Sequence, residues 1–353
     1  MWTLRRNRRQ SREGAATATI ERPVAVPAPL RSEAELLSEI GRLTDENRAD
    51  GNRETERELL ELRHELGIVR QDNGNRPEYP VAADEALPAY EHELPEIVAA
   101  DATPELLRAG ILRDGCLLVR GLIDRDAALR FAAEIDRSFV ERERGDAGGQ
   151  IAEGYYEEFA PRPGSGLPIA RDWIKLGGGV LAVDTPMLTF EMLELFEQAG
   201  LPQLVAGYLG EPPLMSAQKT TLRKADPSVP GAWHQDGAFM GQVRALNLWL
   251  SLSRCGDEAP GLDIVPRRLD GFVRAQTDEA VLDYQVSNRA AEEAAGDRTI
   301  VRPIFEPGDA LFFDDLCLHK TGSDPSMPKP RYAIENWFFG GSAFPADYAP
   351  VAV

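Results

Sequence analysis

The sequence is organised around one short segment, Trp233–His234–Gln235–Asp236–Gly237. If this segment is an extended strand, side chains two residues apart point to the same face, so His234 and Asp236 lie side by side. A second histidine, His319, follows the apolar run Ala310–Phe313, which is typical of a buried strand. Two imidazoles and one carboxylate form the ligand set that holds a non-heme Fe(II) on one face and leaves the other open. The spacing therefore predicts a metal site made of these three side chains.

Arg331 adds a second signal to the metal site. A His-x-Asp triplet alone is weak evidence, because it arises often by chance and a buried histidine is usually part of a hydrogen-bonded structure. Arg331 heads the predicted strand Arg331–Trp337, twelve residues after His319. A guanidinium there can bind a carboxylate bidentately, as a lysine cannot, although a surface ion pair is the ordinary alternative.

Taken in order along the chain, these residues resemble the phytanoyl-CoA dioxygenase family of Fe(II)/2-oxoglutarate oxygenases. The resemblance spans about residues 101–345 and leaves the first hundred residues uncovered. It rests on the following elements: the segment Trp233–Gly237, the turn Pro307–Asp309 that leads through Phe312 and Phe313 to His319, Arg331, and a helix, strand and helix between Leu106 and Phe139.

The resemblance implies an α+β, mainly β, fold. The expected architecture is a double-stranded β-helix, a cupin-like jelly roll with flanking helices, preceded by an N-terminal helical and disordered extension. Its mouth would hold Fe(II), with His234, Asp236 and His319 as ligands. The implied cofactors are Fe(II), 2-oxoglutarate as co-substrate, and dioxygen.

The resemblance also implies which residues bind 2-oxoglutarate. Arg331 would hold its distal carboxylate, Lys224 matches a position that contacts it, and Trp249 matches an aromatic residue lining the same pocket. A strand-end lysine is usually solvated and a strand tryptophan usually belongs to the core, so Lys224 and Trp249 also have ordinary structural interpretations.

The expected reaction is hydroxylation of a small-molecule substrate, with release of succinate and carbon dioxide. Asp236 favours hydroxylation, because halogenating relatives replace this carboxylate with a small residue. Two alternatives stay open. One is a non-catalytic jelly-roll protein that only holds a ligand. The other is a zinc hydrolase that uses the same two histidines and aspartate.

One loop departs from the family pattern. The family usually has Pro-Gly-Ser-His after its central strands, whereas this chain has Pro260–Val265 followed by Pro266–Leu269. Arg267 and Arg268, with Lys320, are expected either to form a basic lip for an acidic substrate or to be solvated. The other residues interpreted at this stage are Tyr155, Tyr156 and Trp173 as pocket walls, Cys317 as a packing residue, and Asp314 and Asp315 as solvated carboxylates.

Changes in composition divide the chain into four predicted segments. These are a disordered basic tail over 1–30, a helical, coiled-coil-like segment over 31–71, a linker over 72–100, and the oxygenase domain over 101–353. Apolar residues within 31–71 recur at three- and four-residue steps, in two short runs that are out of register. They predict two short helices or one broken helix, able to contact a partner or a second copy of the chain.

The composition sets outer limits on function. With 39 Lys+Arg against 58 Asp+Glu the net charge is -19, which argues against a nucleic-acid partner because phosphate contacts need a positive surface. The three cysteines have no paired spacing and no secretory signal precedes them, so reduced thiols and a cytoplasmic location are expected. No run of about 18 apolar residues predicts a membrane span.

Overall fold

The structure, a computed structural model, describes residues 29–71, 87–88, 94–241, 245–280 and 282–353. The predicted basic tail and most of the predicted linker therefore lie outside the described residues. The α-helices in these ranges are α1 (Glu33–Asp50), α2 (Arg53–Val69), α3 (Pro104–Ala109), α4 (Arg125–Asp146), α5 (Asp172–Leu176), α6 (Pro186–Gln198), α7 (Leu201–Leu209), α8 (Gly237–Met240) and α9 (Asn288–Ala295).

The strands alternate with these helices at first and then dominate the second half of the chain. They are β1 (Glu96–Val98), β2 (Cys116–Arg120), β3 (Gly179–Leu181), β4 (Pro213–Ser216), β5 (Thr221–Ala225), β6 (Ala245–Ser251), β7 (Gly261–Ile264), β8 (Ala310–Phe313), β9 (His319–Gly322), β10 (Arg331–Gly340) and β11 (Pro350–Ala352). No helix in the described part of the chain has an apolar stretch long enough to cross a membrane.

A large sheet forms the centre of the molecule. Its main path runs β1-β2-β8-β6-β10-β4-β11, and β5 joins it by pairing with β10 and β3. Strand β10 holds the sheet together, because it pairs with β6 along one side and with β5 and then β4 along the other. Alternate side chains point to the two faces of the sheet. Leu248 and Phe338 belong to the helix-covered core, whereas Trp249 and Trp337 face the opposite side.

A smaller sheet faces the second side of the large one. Strands β7 and β9 pair antiparallel, and single bridges join His234 to His319 and Ile264 to Val301. A cavity lies between the two sheets and is lined by side chains of both, including Trp249 from β6 and His319 from β9. Two facing sheets with helices on the outer face confirm the predicted jelly roll.

Side-chain caps define the starts of two helices that cover the sheet. Thr103 Oγ1 accepts the Leu106 N–H at 3.2 Å at the start of α3, and Asp124 Oδ1 accepts the Ala127 N–H at 2.9 Å at the start of α4. Each side chain satisfies a backbone donor that has no partner inside the helix. These caps fix where the two helices begin and so how they cover the sheet.

The segment 31–71 forms two helices, α1 and α2, as predicted. Ser32 and Glu35 make a reciprocal capping box at the start of α1. Six apolar residues of these two helices are buried within this chain, in one cluster with Phe339 and Ala352 of the large sheet: Leu36, Ile40, Leu43, Leu59, Leu62 and Leu66. The seam that was expected to face a partner therefore packs on the chain's own sheet.

Two strand assignments differ from the sequence-based expectation. The run 215–223, expected as one strand, is divided into β4 and β5 by a turn in which the Lys219 N–H donates to Ser216 O at 3.1 Å. Strand β1 lies inside the segment expected to be a linker and pairs in parallel with β2. Both elements depend on pairing with distant strands, which a local pattern does not record.

Candidate metal centre and its cavity

The three side chains predicted to bind a metal come together on the small sheet. The backbones of His234 and His319 exchange both hydrogen bonds, at 3.0 and 3.1 Å, which places their ring centroids 4.5 Å apart. Asp236 Oδ1 lies 3.4 Å from His234 Nε2. One potential ligand atom from each of His234, Asp236 and His319 lies within 4.8 Å of the other two.

Backbone carbonyl groups orient both imidazoles. His234 Nδ1 lies 2.8 Å from Ala232 O, and His319 Nδ1 lies 3.1 Å from Cys317 O. Because a carbonyl oxygen only accepts hydrogen bonds, each Nδ1 carries the proton and each Nε2 keeps its lone pair. This arrangement, in which the second ring nitrogen is fixed by a hydrogen bond, is common among metal-binding histidines.

The electrostatics of His319 and Asp236 favour ligand-competent forms, whereas the pKa of His234, which burial would lower, is raised by its hydrogen bond and charge interaction with Asp236. Burial, with the nearby His234, lowers the pKa of His319 to about 4, so its imidazole is neutral near pH 7. Burial opposes ionisation of Asp236, but the hydrogen bond and charge of His234 outweigh it and lower the pKa of Asp236. A neutral imidazole and an ionised carboxylate are the forms that bind metals.

Gln235, between the two ligands of the first segment, fixes that segment in place. Its amide Nε2 donates to Leu316 O at 2.7 Å and Gly271 O at 3.1 Å, and its Oε1 accepts the Val273 N–H at 2.7 Å. The alternation that directs His234 and Asp236 into the cavity directs Gln235 away from it. Gln235 had no predicted role, although it lies between two candidate ligands in the sequence.

The cavity beside the three side chains has a volume of about 670 Å³. Its deeper walls come from alternate residues of the large sheet, including Thr221, Arg223, Trp249 and Glu335. Its outer part is lined by Trp173 and the neighbouring glycines and by segments near Val229 and Tyr284. A volume of this size suits a small molecule.

Arg331 lies fully buried at the start of β10, next to the cavity wall. Its guanidinium carbon lies 5.0 Å from the centre of the Trp249 ring. Within the described residues, Nε and Nη1 of Arg331 have no hydrogen-bond partner, and Nη2 is 3.5 Å from Glu335 Oε1. Burial lowers the pKa of Arg331, against the weaker effect of Glu335. The structure thus places Arg331 and Trp249 together beside the cavity.

Lys224 lines the cavity, but its ammonium group is paired with a residue of α4. Its Nζ donates to Asp136 Oδ1 of α4 at 2.6 Å and lies over the ring of Tyr332. The neighbouring Arg223 instead directs its side chain toward Glu335, whose Oε2 is 3.3 Å from Arg223 Nε. Because successive strand residues face opposite sides, the residue directed to the deep cavity is Arg223 rather than Lys224.

The loop that differs from the family pattern, with Arg267 and Arg268, does not form a basic lip over the cavity. Arg268 pairs with Asp314, whose side chain is buried, and neither it nor Arg267 lines the cavity. Lys320 lies over the Trp233 ring, 3.7 Å from Asp263. The expected solvation of the two carboxylates is wrong, because Asp314 and Asp315 are both buried.

The remaining candidates have mixed outcomes. Trp173 lines the cavity as expected, whereas Tyr155 and Tyr156 do not. Cys317 is buried, in agreement with a packing role, and all three cysteines are free.

Three charged residues of the deeper part of the cavity wall were not singled out from the sequence. They are Lys219, Arg223 and Glu335. Arg223 Nε and Nη1 are buried and have no hydrogen-bond partner among the described residues. The direction of Arg223 and Glu335 into the cavity depends on strand register, and that of Lys219 on the turn between β4 and β5, so a local sequence pattern does not predict which way these side chains point.

The fold and the site together define a jelly-roll protein with a two-histidine, one-aspartate cluster, suited to a divalent metal, in the wall of its cavity. No family model matches the sequence, and no curated protein matches it. Solved structures with a similar fold exist. One is EctD from S. alaskensis in its apoform, 17% identical, covering 75% of this chain and 82% of that chain with a TM-score of 0.47.

Two further solved structures extend this similarity. AviO1 from Streptomyces viridochromogenes Tue57 is 21% identical and covers 67% of this chain and 94% of that chain, with a TM-score of 0.41. The non-heme alpha ketoglutarate dependent epimerase SnoN from nogalamycin biosynthesis is 20% identical, with coverages of 67% and 82% and a TM-score of 0.37. All three similarities are distant, so the chemistry of this site has to be derived from its own residues.

Proposed function

We propose that the protein is an Fe(II)- and 2-oxoglutarate-dependent dioxygenase that hydroxylates a small-molecule substrate and releases succinate and carbon dioxide. One observation carries the proposal: the cluster His234, Asp236 and His319 shares its cavity wall with Trp249, which contacts the buried and incompletely bonded Arg331. A protein that only holds a ligand, or a hydrolytic zinc site, has no need for this combination.

The donor set fits iron. His234 and His319 would bind through Nε2, since each Nδ1 is committed to a backbone carbonyl oxygen. Asp236 would supply the third ligand. Three ligands from one side leave further positions open toward the cavity, as in other non-heme Fe(II) sites of this kind.

Arg331 fits the distal carboxylate of 2-oxoglutarate. A buried guanidinium with two unbonded nitrogens is destabilising, because its lost hydration is not replaced. A carboxylate can accept two parallel hydrogen bonds from such a guanidinium. Trp249, in contact with Arg331 and exposed to the cavity, would line the same pocket.

The chain's own contribution is to bind, orient and shield the reactants. When bound, Fe(II) and 2-oxoglutarate supply the oxidation of a substrate C–H bond by dioxygen, coupled to decarboxylation of 2-oxoglutarate to succinate. Asp236 retains the carboxylate ligand that is expected for hydroxylation. Phe313 and Trp337 give the wall near the histidines an apolar surface, which limits the entry of water.

An anaerobic titration tests the proposal directly. The metal-free protein is titrated with Fe(II) and then with 2-oxoglutarate, and the visible charge-transfer band of the chelated complex is recorded. We expect the band in the unmodified protein and its loss in His319→Ala. Arg331→Met should need about tenfold or more 2-oxoglutarate to form it, since a charged hydrogen-bonded pair is lost.

Two further variants serve as comparisons for the titration of Arg331→Met. Arg331→Lys keeps the charge but loses the bidentate geometry, so its affinity should fall between those of the unmodified protein and Arg331→Met. Arg142→Met removes another buried arginine, one whose Nη1 donates to Gly179 O at 2.6 Å, and should leave the titration unchanged. Absence of the band in a folded protein that binds a divalent metal would overturn the proposal.

A further inference from the structure

We propose that the substrate is a small organic acid with an apolar body, and that Lys219 binds its anionic group. This inference rests on the proposed function and concerns the part of the same cavity that Fe(II) and 2-oxoglutarate would not fill. It depends on three observations: the surroundings of Lys219, the balance of charge in the deep cavity, and the apolar residues at its mouth.

Lys219 presents its amino group to the cavity without a carboxylate in ion-pair contact; burial lowers its pKa, and the charges of Asp236 and Glu335 oppose this effect from a distance. It lies in the turn between β4 and β5, and its Nζ makes no ion pair or side-chain hydrogen bond with any described residue. Aromatic rings surround it instead: Nζ lies 4.2 Å from the centre of the Phe239 ring, 5.1 Å from that of Trp173 and 5.8 Å from that of Tyr348. Rings of this kind stabilise an ammonium group but leave its N–H donors unused.

Lys219 also lies close to the place where chemistry would occur. Phe239 contacts both the ammonium group and the metal cluster, because its ring stacks on that of His234 with centroids 6.1 Å apart. An anionic group bound to Lys219 would therefore be separated from a metal ligand by a single aromatic ring. Binding there would orient a neighbouring part of the substrate toward the metal.

The charges of the deep cavity do not balance. Lys219 and Arg223 of its wall and the adjoining Arg331 carry three positive charges, and Asp236 and Glu335 carry two negative ones; Asp226 also lines the cavity, but it is exposed to solvent, where its charge is screened. A divalent metal and the 2-oxoglutarate dianion add opposite and equal charges, so one positive charge remains after both have bound. A substrate with one negative charge would neutralise it, and unneutralised charge in a desolvated site is unfavourable.

The other lysines of the wall do not compete for this role. Lys175 pairs with Asp146 at 3.0 Å and Lys224 pairs with Asp136 at 2.6 Å. Each of them therefore has a carboxylate partner of its own, which distinguishes them from Lys219.

Much of the mouth of the cavity is apolar, although Lys175, Lys224 and Asp226 also line it. Large hydrophobic side chains that line it are also exposed to solvent, to 86% in the case of Leu176. The others are Trp173, Val229, Phe239 and Leu282. Exposed apolar residues gathered around a cavity commonly mark a binding surface. An apolar body attached to the anionic group would cover them.

Matched pairs of probes test the inference without knowledge of the natural substrate. Hexanoate, phenylacetate and indole-3-acetate are each compared with the corresponding uncharged primary amide by isothermal titration calorimetry. The protein is used metal-free and, anaerobically, with Fe(II) and saturating 2-oxoglutarate. We expect at least one acid to bind the loaded protein about tenfold or more tightly than its amide, as for a charge-assisted hydrogen bond.

Lysine variants identify the residue that causes the tighter binding of the acid. Lys219→Met should abolish it, Lys219→Arg should retain it, and Lys175→Met, which removes a lysine that is already paired, should leave it unchanged. A preference that survives in Lys219→Met would overturn the inference. So would a panel in which no acid binds more tightly than its amide, including one in which nothing binds.

The same experiment separates this inference from the proposed function. Arg331→Met should weaken 2-oxoglutarate and leave the preference for the acid intact. If the preference is lost in Arg331→Met and kept in Lys219→Met, the acids occupy the co-substrate pocket and the inference fails. If the acid preference depends on Lys219 while 2-oxoglutarate does not bind at all, the proposed function alone fails.

Discussion

Arg331 shows how a single residue can be poor for stability and still suit a site. A fully buried guanidinium with two unbonded nitrogens loses hydration that nothing in the described chain replaces. The face of the Trp249 ring compensates for only part of this loss, because a cation–π contact contributes about 0.5–2 kcal/mol. The remaining donors are available to a carboxylate.

Substitution of Trp249 tests whether its ring positions Arg331. Trp249→Phe keeps an aromatic face and should change the affinity for 2-oxoglutarate by less than about threefold, whereas Trp249→Leu should weaken it by about threefold to thirtyfold. The measurement is the anaerobic charge-transfer titration. Equal affinities in the two variants would show that the ring fills space without orienting the guanidinium.

His64 has a structural role outside the cavity that depends on pH. Its Nδ1–H donates to Pro350 O at 2.6 Å, and its Nε2 accepts the Arg162 N–H at 3.0 Å, so the ring must be neutral. Burial lowers the pKa of His64 below its ordinary value of 6.5. Below pH 6.5 the unfolded chain takes up a proton that the folded chain excludes, and the free energy of unfolding decreases.

The prediction for His64 is a difference between two pH profiles. Between pH 7.5 and 5.5 the free energy of unfolding of the unmodified protein should decrease more than that of His64→Gln, whose amide can donate and accept without titrating. Chemical denaturation at several pH values measures both profiles. The contributions of titratable groups that the two proteins share cancel in the difference between their free energies of unfolding. Parallel profiles would assign the acid sensitivity to other groups.

At the scale of elements, the position of the metal cluster depends on how closely the segment before His234 approaches β9. A Cβ atom at Gly231 would lie 2.7 Å from Thr321 N and closer still to Thr321 O, both of them backbone atoms that cannot turn away. Glycine is therefore required here for contact between two strands rather than for an unusual backbone conformation. The two histidines are adjacent because this contact is possible.

Gly231→Ala should separate the two strands that hold the ligands. We expect a loss of roughly 1–3 kcal/mol in the free energy of unfolding, typical of overpacking, together with weaker metal binding. Gly271→Ala is the control, since a Cβ atom at that loop position meets nothing within 4 Å. Denaturation and metal titration measure the two effects. Metal affinity equal to that of the unmodified protein would show that the strands need not touch.

Elements with strong local signals could be predicted from the sequence, and those that depend on register could not. Strand β8 has the predicted bounds because an apolar run between turn residues specifies it. The side chains of His234 and Asp236 could be predicted to lie side by side, because residues two apart in a strand point to the same face. The cavity-facing position of Arg223, beside the predicted Lys224, could not be predicted, since a shift of one residue changes the face and only the pairing with β10 determines it.

At the scale of the whole molecule, α1 and α2 are part of the main core. Helix α2 packs on β11 and α6, and the start of α2 is tied to the loop before α5 by the pairs of Arg57 with Glu153 and Glu157. The predicted contact with a partner or second copy through residues 31–71 stays a prediction. Any such contact would have to use the mainly polar outer surface of these helices, because their leucines other than Leu37 are buried.

Leucine substitutions measure how strongly these helices contribute. Leu62→Ala removes a side chain that is 1% exposed and should lower the free energy of unfolding by roughly 2–5 kcal/mol. Leu37→Ala, at a position that is 46% exposed on α1, should change it by less than about 0.5 kcal/mol. Chemical denaturation compares the two. A small loss in both variants would mean that the helices unfold independently of the sheet.

The packing of α2 against β11 has a consequence for the order of folding during synthesis. At Gly67 of α2, a Cβ atom would lie 2.9 Å from the Pro350 carbonyl carbon, so the two elements are in direct contact. Helices α1 and α2 precede β11 in the chain by about 280 residues and therefore remain without this partner until β11 has emerged from the ribosome. During that time their leucines are exposed, and the nascent chain depends on chaperones or on rapid elongation to avoid aggregation.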